Sequence, residues 1–255
     1  MKKILIIIMF FFGCVIKPSI TPYEKYFFKE NKSAKKNVTA TFLGTTTILI
    51  SEKSVISRED IRLKLLENNI EIIVIDNIID LDYQEQIKGI LLGDINYKDY
   101  EFPWYYTKDV TKSDSPNSQK RPAFTHGYVK LSGLVISEFH DIFLNLIKIC
   151  CHKLQMTEVD VIQGRSFLQL PLSQKTNVDT PHIDTDDKHF VMLYYVLDSD
   201  GDTIIYNEKV ESKEYTVNKS ITPKQGRVVL FDGGLYHTAE QPTKGTRCVV
   251  NYNLV

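Results

Sequence analysis

Apolar positions along this chain change their period about halfway. From Ser137 to Lys153, Phe139, Phe143, Leu146, Ile147 and Cys150 recur at steps of three and four, the stripe of an amphipathic helix. The same spacing places Ile87, Ile90 and Leu91 on one face of a helix ending at Leu92, with Asp80 positioned to cap its first turn. Ser57 and Asp60 begin a shorter helix through Asn68, with Ile61, Leu65 and Leu66 on one side, and "IEIIVIDN" reads as a buried strand. From about Val159 the period drops to two: "VDVIQ", "RSFLQLPL", "HFVMLYYVL", "DTIIYN", "EYTVN", "GRVVLFDG" and "RCVVNYNL" are short β segments separated by Gly, Asp and Pro. Such a series predicts an antiparallel sandwich or barrel, so the chain is α+β, with amino-terminal helices supporting a β-rich carboxy-terminal half. Between the halves, residues 100–122 are aromatic and then rich in Ser, Asp, Asn and Pro, which predicts a long surface loop with Trp104, Tyr105 and Tyr106 as its hydrophobic anchor.

The amino terminus departs from both patterns. "MKKILIIIMFFFGCVIKP" has two lysines and then an apolar run from Ile4 to Ile16, the order of an export signal and too short to span a bilayer comfortably. Its "FFGC" resembles a bacterial lipoprotein cleavage box with Cys14 as the lipidated residue, although Phe11 stands where such boxes carry an aliphatic side chain. Residues 1–18 are therefore read as a leader, 19–56 as a linker and β-hairpin appendage, and 57–255 as the main domain. The hairpin segment, "VTATFLGTTTILIS", resembles the first hairpin of metallo-β-lactamase-fold proteins. That family's HxHxDH metal motif occurs nowhere in the chain, which leaves a zinc hydrolase without its ligands.

Composition narrows the partners. With 43% hydrophobic and 25% charged residues the chain is globular, and a formal net charge of −1 gives no footprint for nucleic acid or an anionic membrane surface. A membrane partner is expected only if the leader is a true anchor. Cys150, Cys151 and Cys248 lack the spacing of a zinc knuckle or disulfide framework and read as reduced core thiols.

The chemistry concentrates in "TPHIDTDDKHF", Thr180 to Phe190. In extended chain, positions i and i+2 face one side, so His182 and Asp184 present an imidazole and a carboxylate to one point. His237, behind the Gly-Gly turn of "FDGGLYH", can supply a third ligand from a facing strand. Two imidazoles and one carboxylate describe the facial triad of non-haem Fe(II) oxygenases, which leaves coordination positions open for reactants. Arg247 follows ten residues later on a strand whose alternation turns Arg247, Val249 and Asn251 to a common face. A guanidinium fork there suits a dicarboxylic acid. Asp186 and Asp187 read as solvated loop charge, and His189 and Asp179 as groups that orient the loop through hydrogen bonds.

"PHIDTDDKHFVMLYYVLDSDGDTIIYNE" followed by "TPKQGRVVLFDGGLYHTAEQPTKGTRCVVNYNL" resembles the two-oxoglutarate and Fe(II)-dependent dioxygenases, particularly the branch similar to prolyl hydroxylases and their phage and bacterial relatives. The resemblance runs from about Arg165 to Val255 and more loosely back to Ile70. It implies a double-stranded β-helix, or jelly-roll, core. It also implies that His182, Asp184 and His237 bind Fe(II), that Arg247 holds the distal carboxylate of two-oxoglutarate, and that Tyr194 and Thr203 share in binding it. Asp200 and Asp202 depart from the family's usual turn beside Thr203. The implied reaction consumes O2, releases succinate and CO2 and hydroxylates a C–H bond, with ascorbate as a reductant. The implied substrate is a protein or peptide side chain such as proline, or a small molecule. A jelly-roll binding protein without catalysis is the alternative that the ligand set leaves open. Ferrous iron and two-oxoglutarate point to the cytoplasm, and the leader, through Cys14, points to export or a lipid anchor.

Overall fold

The structure, a computed structural model, describes residues 38–42, 48–50, 72–110, 121–153, 159–172 and 178–255. The leader with Cys14, the linker before Val38 and the helix expected from Ser57 to Asn68 lie outside the described residues.

Two helices form where the apolar stripes place them. In α1 (Leu81–Leu92) the Asp80 side chain accepts from the Tyr83 amide at 2.9 Å, and Gly93 ends the helix in the left-handed region at φ 84°. Ile87, Ile90 and Leu91 are fully buried. α2 (His140–Lys153) buries Phe143, Leu146, Ile147 and Cys150. The Tyr83 hydroxyl donates to the Ile142 carbonyl at 2.7 Å and ties the helices together. Among the described residues no helix is long and apolar enough to cross a membrane.

The strands are β1 (Val38–Phe42), β2 (Ile48–Ile50), β3 (Ile72–Ile75), β4 (Tyr105–Thr107), β5 (Ala123–Val129), β6 (Val161–Gln169), β7 (Phe190–Tyr195), β8 (Thr203–Tyr206), β9 (Val217–Ile221), β10 (Val228–Asp232), β11 (His237–Ala239) and β12 (Arg247–Leu254). They make a nine-stranded sheet, in the order β2-β1-β3-β10-β7-β12-β6-β5-β4, and a three-stranded sheet, β11-β8-β9. The strand pairs are antiparallel, as the series of short β segments predicts, and the two sheets form the jelly-roll core that the resemblance implies. β1 and β2 pair with each other as the hairpin predicts, and β1 also pairs with β3, so the hairpin continues the large sheet. β4 and β5 interrupt what the sequence presents as loop and unassigned chain. Trp104 anchors that region, donating from Nε1 to the Leu91 carbonyl at 2.8 Å and meeting Phe102 edge-on, whereas Tyr105 and Tyr106 are exposed.

Strand alternation assigns each face of the large sheet. Val191, Leu193 and Tyr195 of β7, Val229 and Phe231 of β10 and Val249 of β12 pack with Ile205, Ile221 and Leu235 from the small-sheet side into one core between the sheets. The intervening residues Tyr252 of β12 and Tyr128 of β5 turn to the helices, where Tyr252 meets His140 and Tyr128 meets Phe143. Cys150, Cys151 and Cys248 are buried free thiols, as expected, and burial pushes Cys248 up to about 12.

Candidate metal centre

A short antiparallel contact brings the segment before β7 against the small sheet. His182 and His237 exchange both backbone hydrogen bonds, at 3.0 and 2.9 Å, so the segment before β7 pairs with β11. Two further bonds lengthen the pairing: the Asp179 amide to the Ala239 carbonyl at 3.3 Å and the Thr238 hydroxyl to the Asp179 carbonyl at 2.7 Å. On the other side the turn before β11 is held to His189. The Gly233 amide donates to the His189 carbonyl at 2.9 Å, and a Cβ on Gly233 would lie 2.2 Å from His189 Nε2, so only glycine allows this approach. His189 thus orients the loop as expected, donating from Nδ1 to the Asp187 carbonyl at 2.7 Å.

This pairing brings His182, Asp184 and His237 together, with one donor atom of each within 4.8 Å of the others. His182 Nε2 lies 3.9 Å from Asp184 Oδ1, and the two imidazole centroids are 4.8 Å apart. The Asp184 side chain is fully buried. Each Nδ1 sits 3.1 Å from a backbone carbonyl two residues back, Thr180 for His182 and Leu235 for His237, so the N–H is spent there and the bare Nε2 is left to act as a ligand. Burial also holds the His237 imidazole below its ordinary value, keeping it neutral. Two bare imidazole nitrogens and one carboxylate are a donor set suited to a divalent transition metal.

At the start of β12, Arg247 is 4% exposed and donates three hydrogen bonds: Nε to the Gly201 carbonyl at 3.0 Å, Nη1 to Gln169 Oε1 at 2.9 Å and Nη2 to Thr203 Oγ1 at 2.8 Å. All three acceptors are neutral, so a buried cation here retains the capacity to hold a carboxylate. Gly201 is required at this point, because a Cβ would meet the Glu240 carbonyl at 2.6 Å and the Arg247 side chain at 3.2 Å. Thr203 lies beside Arg247 and accepts its Nη2 hydrogen bond.

Tyr194 does not. β7 alternates, and Val191, Leu193 and Tyr195 share the core face, which leaves Tyr194 on the helix side among Tyr83, Cys150 and Cys248. Its hydroxyl is buried without a hydrogen-bond partner among the described residues. The neighbour takes its place: Tyr195 donates to Thr203 Oγ1 at 2.7 Å, with the Arg247 guanidinium 6.0 Å from its ring. The dipeptide Tyr-Tyr signals the position, and only the register with β12 shows which ring faces inward.

Three residues that the sequence does not single out as site residues complete the surroundings. Arg165 of β6 donates from Nη2 to Asp184 Oδ1, and Asn251 of β12 approaches Asp184 Oδ2 at 3.5 Å. Gln169 joins Arg247 to Gln241, whose Oε1 accepts from Gln169 Nε2 at 3.3 Å. The signal for Arg165 and Gln169 is their even spacing on "RSFLQ", which puts both with Phe167 on the inner face.

Neither a protein-family model nor a curated protein matches the sequence of this chain. Solved structures do match its shape. A 2OG-Fe(II) oxygenase family oxidoreductase from Burkholderia pseudomallei superposes with a TM-score of 0.55 at 13% identity, over 79% of this chain and 92% of that one. The fold is that of the 2OG-Fe(II) oxygenases. The alpha-ketoglutarate-dependent epimerase SnoN of nogalamycin biosynthesis shares it with a TM-score of 0.54 at 8% identity, over 78% of this chain and 83% of that one. The carbocyclase SnoK of the same biosynthesis does so at 0.52 and 11%, over 78% and 84%. In this oxygenase fold the present chain carries its His-Asp-His cluster where the segment before β7 meets β11, and its buried arginine at the start of β12.

Proposed function

We propose that the protein is an Fe(II)- and two-oxoglutarate-dependent dioxygenase that hydroxylates a C–H bond of its substrate and converts two-oxoglutarate to succinate and CO2. The observation that carries this reading is the convergence of two bare imidazole nitrogens and a buried carboxylate within 4.8 Å, on the oxygenase fold. His182, Asp184 and His237 would hold the iron. Arg247 and Thr203, with Tyr195 in place of Tyr194, would hold the distal carboxylate of two-oxoglutarate through charge-assisted hydrogen bonds. Bound iron supplies the activation of O2 that drives the oxidation. The chain's own part is to fix the distal carboxylate at Arg247, on the inner face of β12 that also carries Asn251 beside Asp184. The apolar core that includes Leu193, Tyr195, Phe231 and Val249 would keep water from the reacting groups. The sequence resemblance supports a protein or peptide side chain, such as a prolyl ring, or a small molecule as the substrate.

Anaerobic titration of the protein with Fe(II) and then two-oxoglutarate tests this reading. A weak visible charge-transfer band is expected with the unaltered protein and is expected to vanish in both His182→Ala and Asp184→Ala. A band that survives both substitutions refutes the metal assignment. Release of succinate on admission of O2 separates an enzyme from a binding protein of the same fold.

A further inference from the structure

A second guanidinium stands at the candidate metal centre, and it is not used up there. Arg165 of β6 lies opposite Asn251 of β12, on the inner face it shares with Phe167 and Gln169. One of its N–H groups, on Nη2, contacts Asp184. The head lies over the Phe167 ring at 5.3 Å, and Nε is buried with no hydrogen-bond partner among the described residues. The Asp184 side chain is fully buried, whereas 18% of the Arg165 side chain reaches solvent. A fork with five donors that gives one to a carboxylate, leaves a buried one unanswered and opens partly to solvent is built to accept something more.

The charge balance of the site says what. Arg121 and Asp179 form a buried ion pair at 2.8 Å and contribute no net charge. With neutral imidazoles, Asp184 and Arg165 cancel, and ferrous iron cancels the two-oxoglutarate dianion. Of the carboxylates within Coulombic reach of Arg247, Asp179 is paired with Arg121 and Asp202 is partly exposed, so Arg247 leaves the buried part of the loaded site positively charged, in surroundings where an unbalanced charge is costly. The register pairs Gln169 with Arg247 and Asn251 with Arg165, so the backbone positions of the two arginines lie four residues apart along the sheet. Arg247 is held by Gly201, Gln169 and Thr203 and Arg165 by Asp184, so the two heads are fixed at separate places and address different anionic groups.

Resting on the oxygenase reading above, we infer that Arg165 is a specificity residue that receives an anionic oxygen group of the primary substrate, a carboxylate or a phosphate, and so sets its reactive C–H bond beside the metal. The guanidinium fork fits either group in paired hydrogen bonds.

The test uses the full chain loaded under argon with Fe(II) and saturating two-oxoglutarate. The probes are short-chain carboxylic acids, the matching primary amides and the matching alkyl phosphates, read by the change each causes in the visible band. At least one of the two oxyanion series is expected to perturb the band without bleaching it, and the amides to leave it unchanged at tenfold higher concentration. Which series responds identifies the group. Arg165→Met is expected to weaken that response at least tenfold, and Arg165→Lys, which keeps the charge, to retain part of it. Circular dichroism verifies that both variants are folded. Acids, phosphates and amides acting alike, or Arg165→Met responding as the unaltered protein does, overturns the inference while leaving the oxygenase reading standing. So does loss of the band in Arg165→Met with recovery in Arg165→Lys but no selectivity for oxyanions, which reduces Arg165 to a positioning residue for Asp184. Absence of any band in the unaltered protein overturns the oxygenase reading itself, and this inference with it.

Discussion

Burial holds the His237 imidazole below its ordinary value of 6.5, with the nearby Asp184 carboxylate opposing the shift. Its Nε2 therefore competes with protons only below that value, and metal affinity is expected to weaken from His237 protonation only below pH 6.5, as a Co(II) titration across pH would show. The same depression acts on stability. Below 6.5 the unfolded chain binds a proton that folded His237 refuses, so the metal-free protein should lose stability as the pH falls through this point, seen as a falling Tm. The other end of the site rests on Arg247. Arg247→Ala is expected to weaken two-oxoglutarate binding by about 2–5 kcal/mol, the cost of removing one member of a buried charge pair. Tyr195→Phe should weaken it by about 1 kcal/mol through the hydrogen bond to Thr203, and Tyr194→Phe should leave it unchanged. Equal effects from the two tyrosines, measured by calorimetry on the metal-loaded protein, would contradict the register of β7 against β12.

At the scale of elements, helices and strands were legible to different degrees for a physical reason. The stripe Phe139, Phe143, Leu146, Ile147 and Cys150 predicts α2, and all five side chains are buried. Asp80 predicts the start of α1 and makes the expected cap at 2.9 Å. Asp80→Ala is expected to cost about 1 kcal/mol in urea unfolding. β4 and β5 escaped because "YYT" is too short to show a period and "AFTHGYV" places His126 and Gly127 inside a strand. His126 is tolerated there because Nδ1 and Nε2 find the Pro103 carbonyl at 2.6 Å and the Ser137 hydroxyl at 2.8 Å, partners that are distant in sequence. A local pattern cannot anticipate such partners.

For the molecule as a whole, the site and the core are one assembly. Phe231, 1% exposed in the core between the sheets, also meets the His237 ring edge-on at 5.0 Å. Phe231→Ala is expected to cost about 3–5 kcal/mol in urea unfolding and also to weaken metal binding, because the cavity removes a wall of the imidazole. An undiminished metal affinity would separate the site from its core. By itself the sequence determined helices α1 and α2, the series of short strands, the His182 and Asp184 pair and the interval of ten residues from His237 to Arg247, because each is written in spacing within one segment. Only the tertiary structure decided that Tyr195 and not Tyr194 faces Arg247, that β1 continues the large sheet, and that Arg165 reaches Asp184. These depend on register between strands far apart in the chain, and a shift of one residue exchanges the faces of a strand without altering a letter of its pattern.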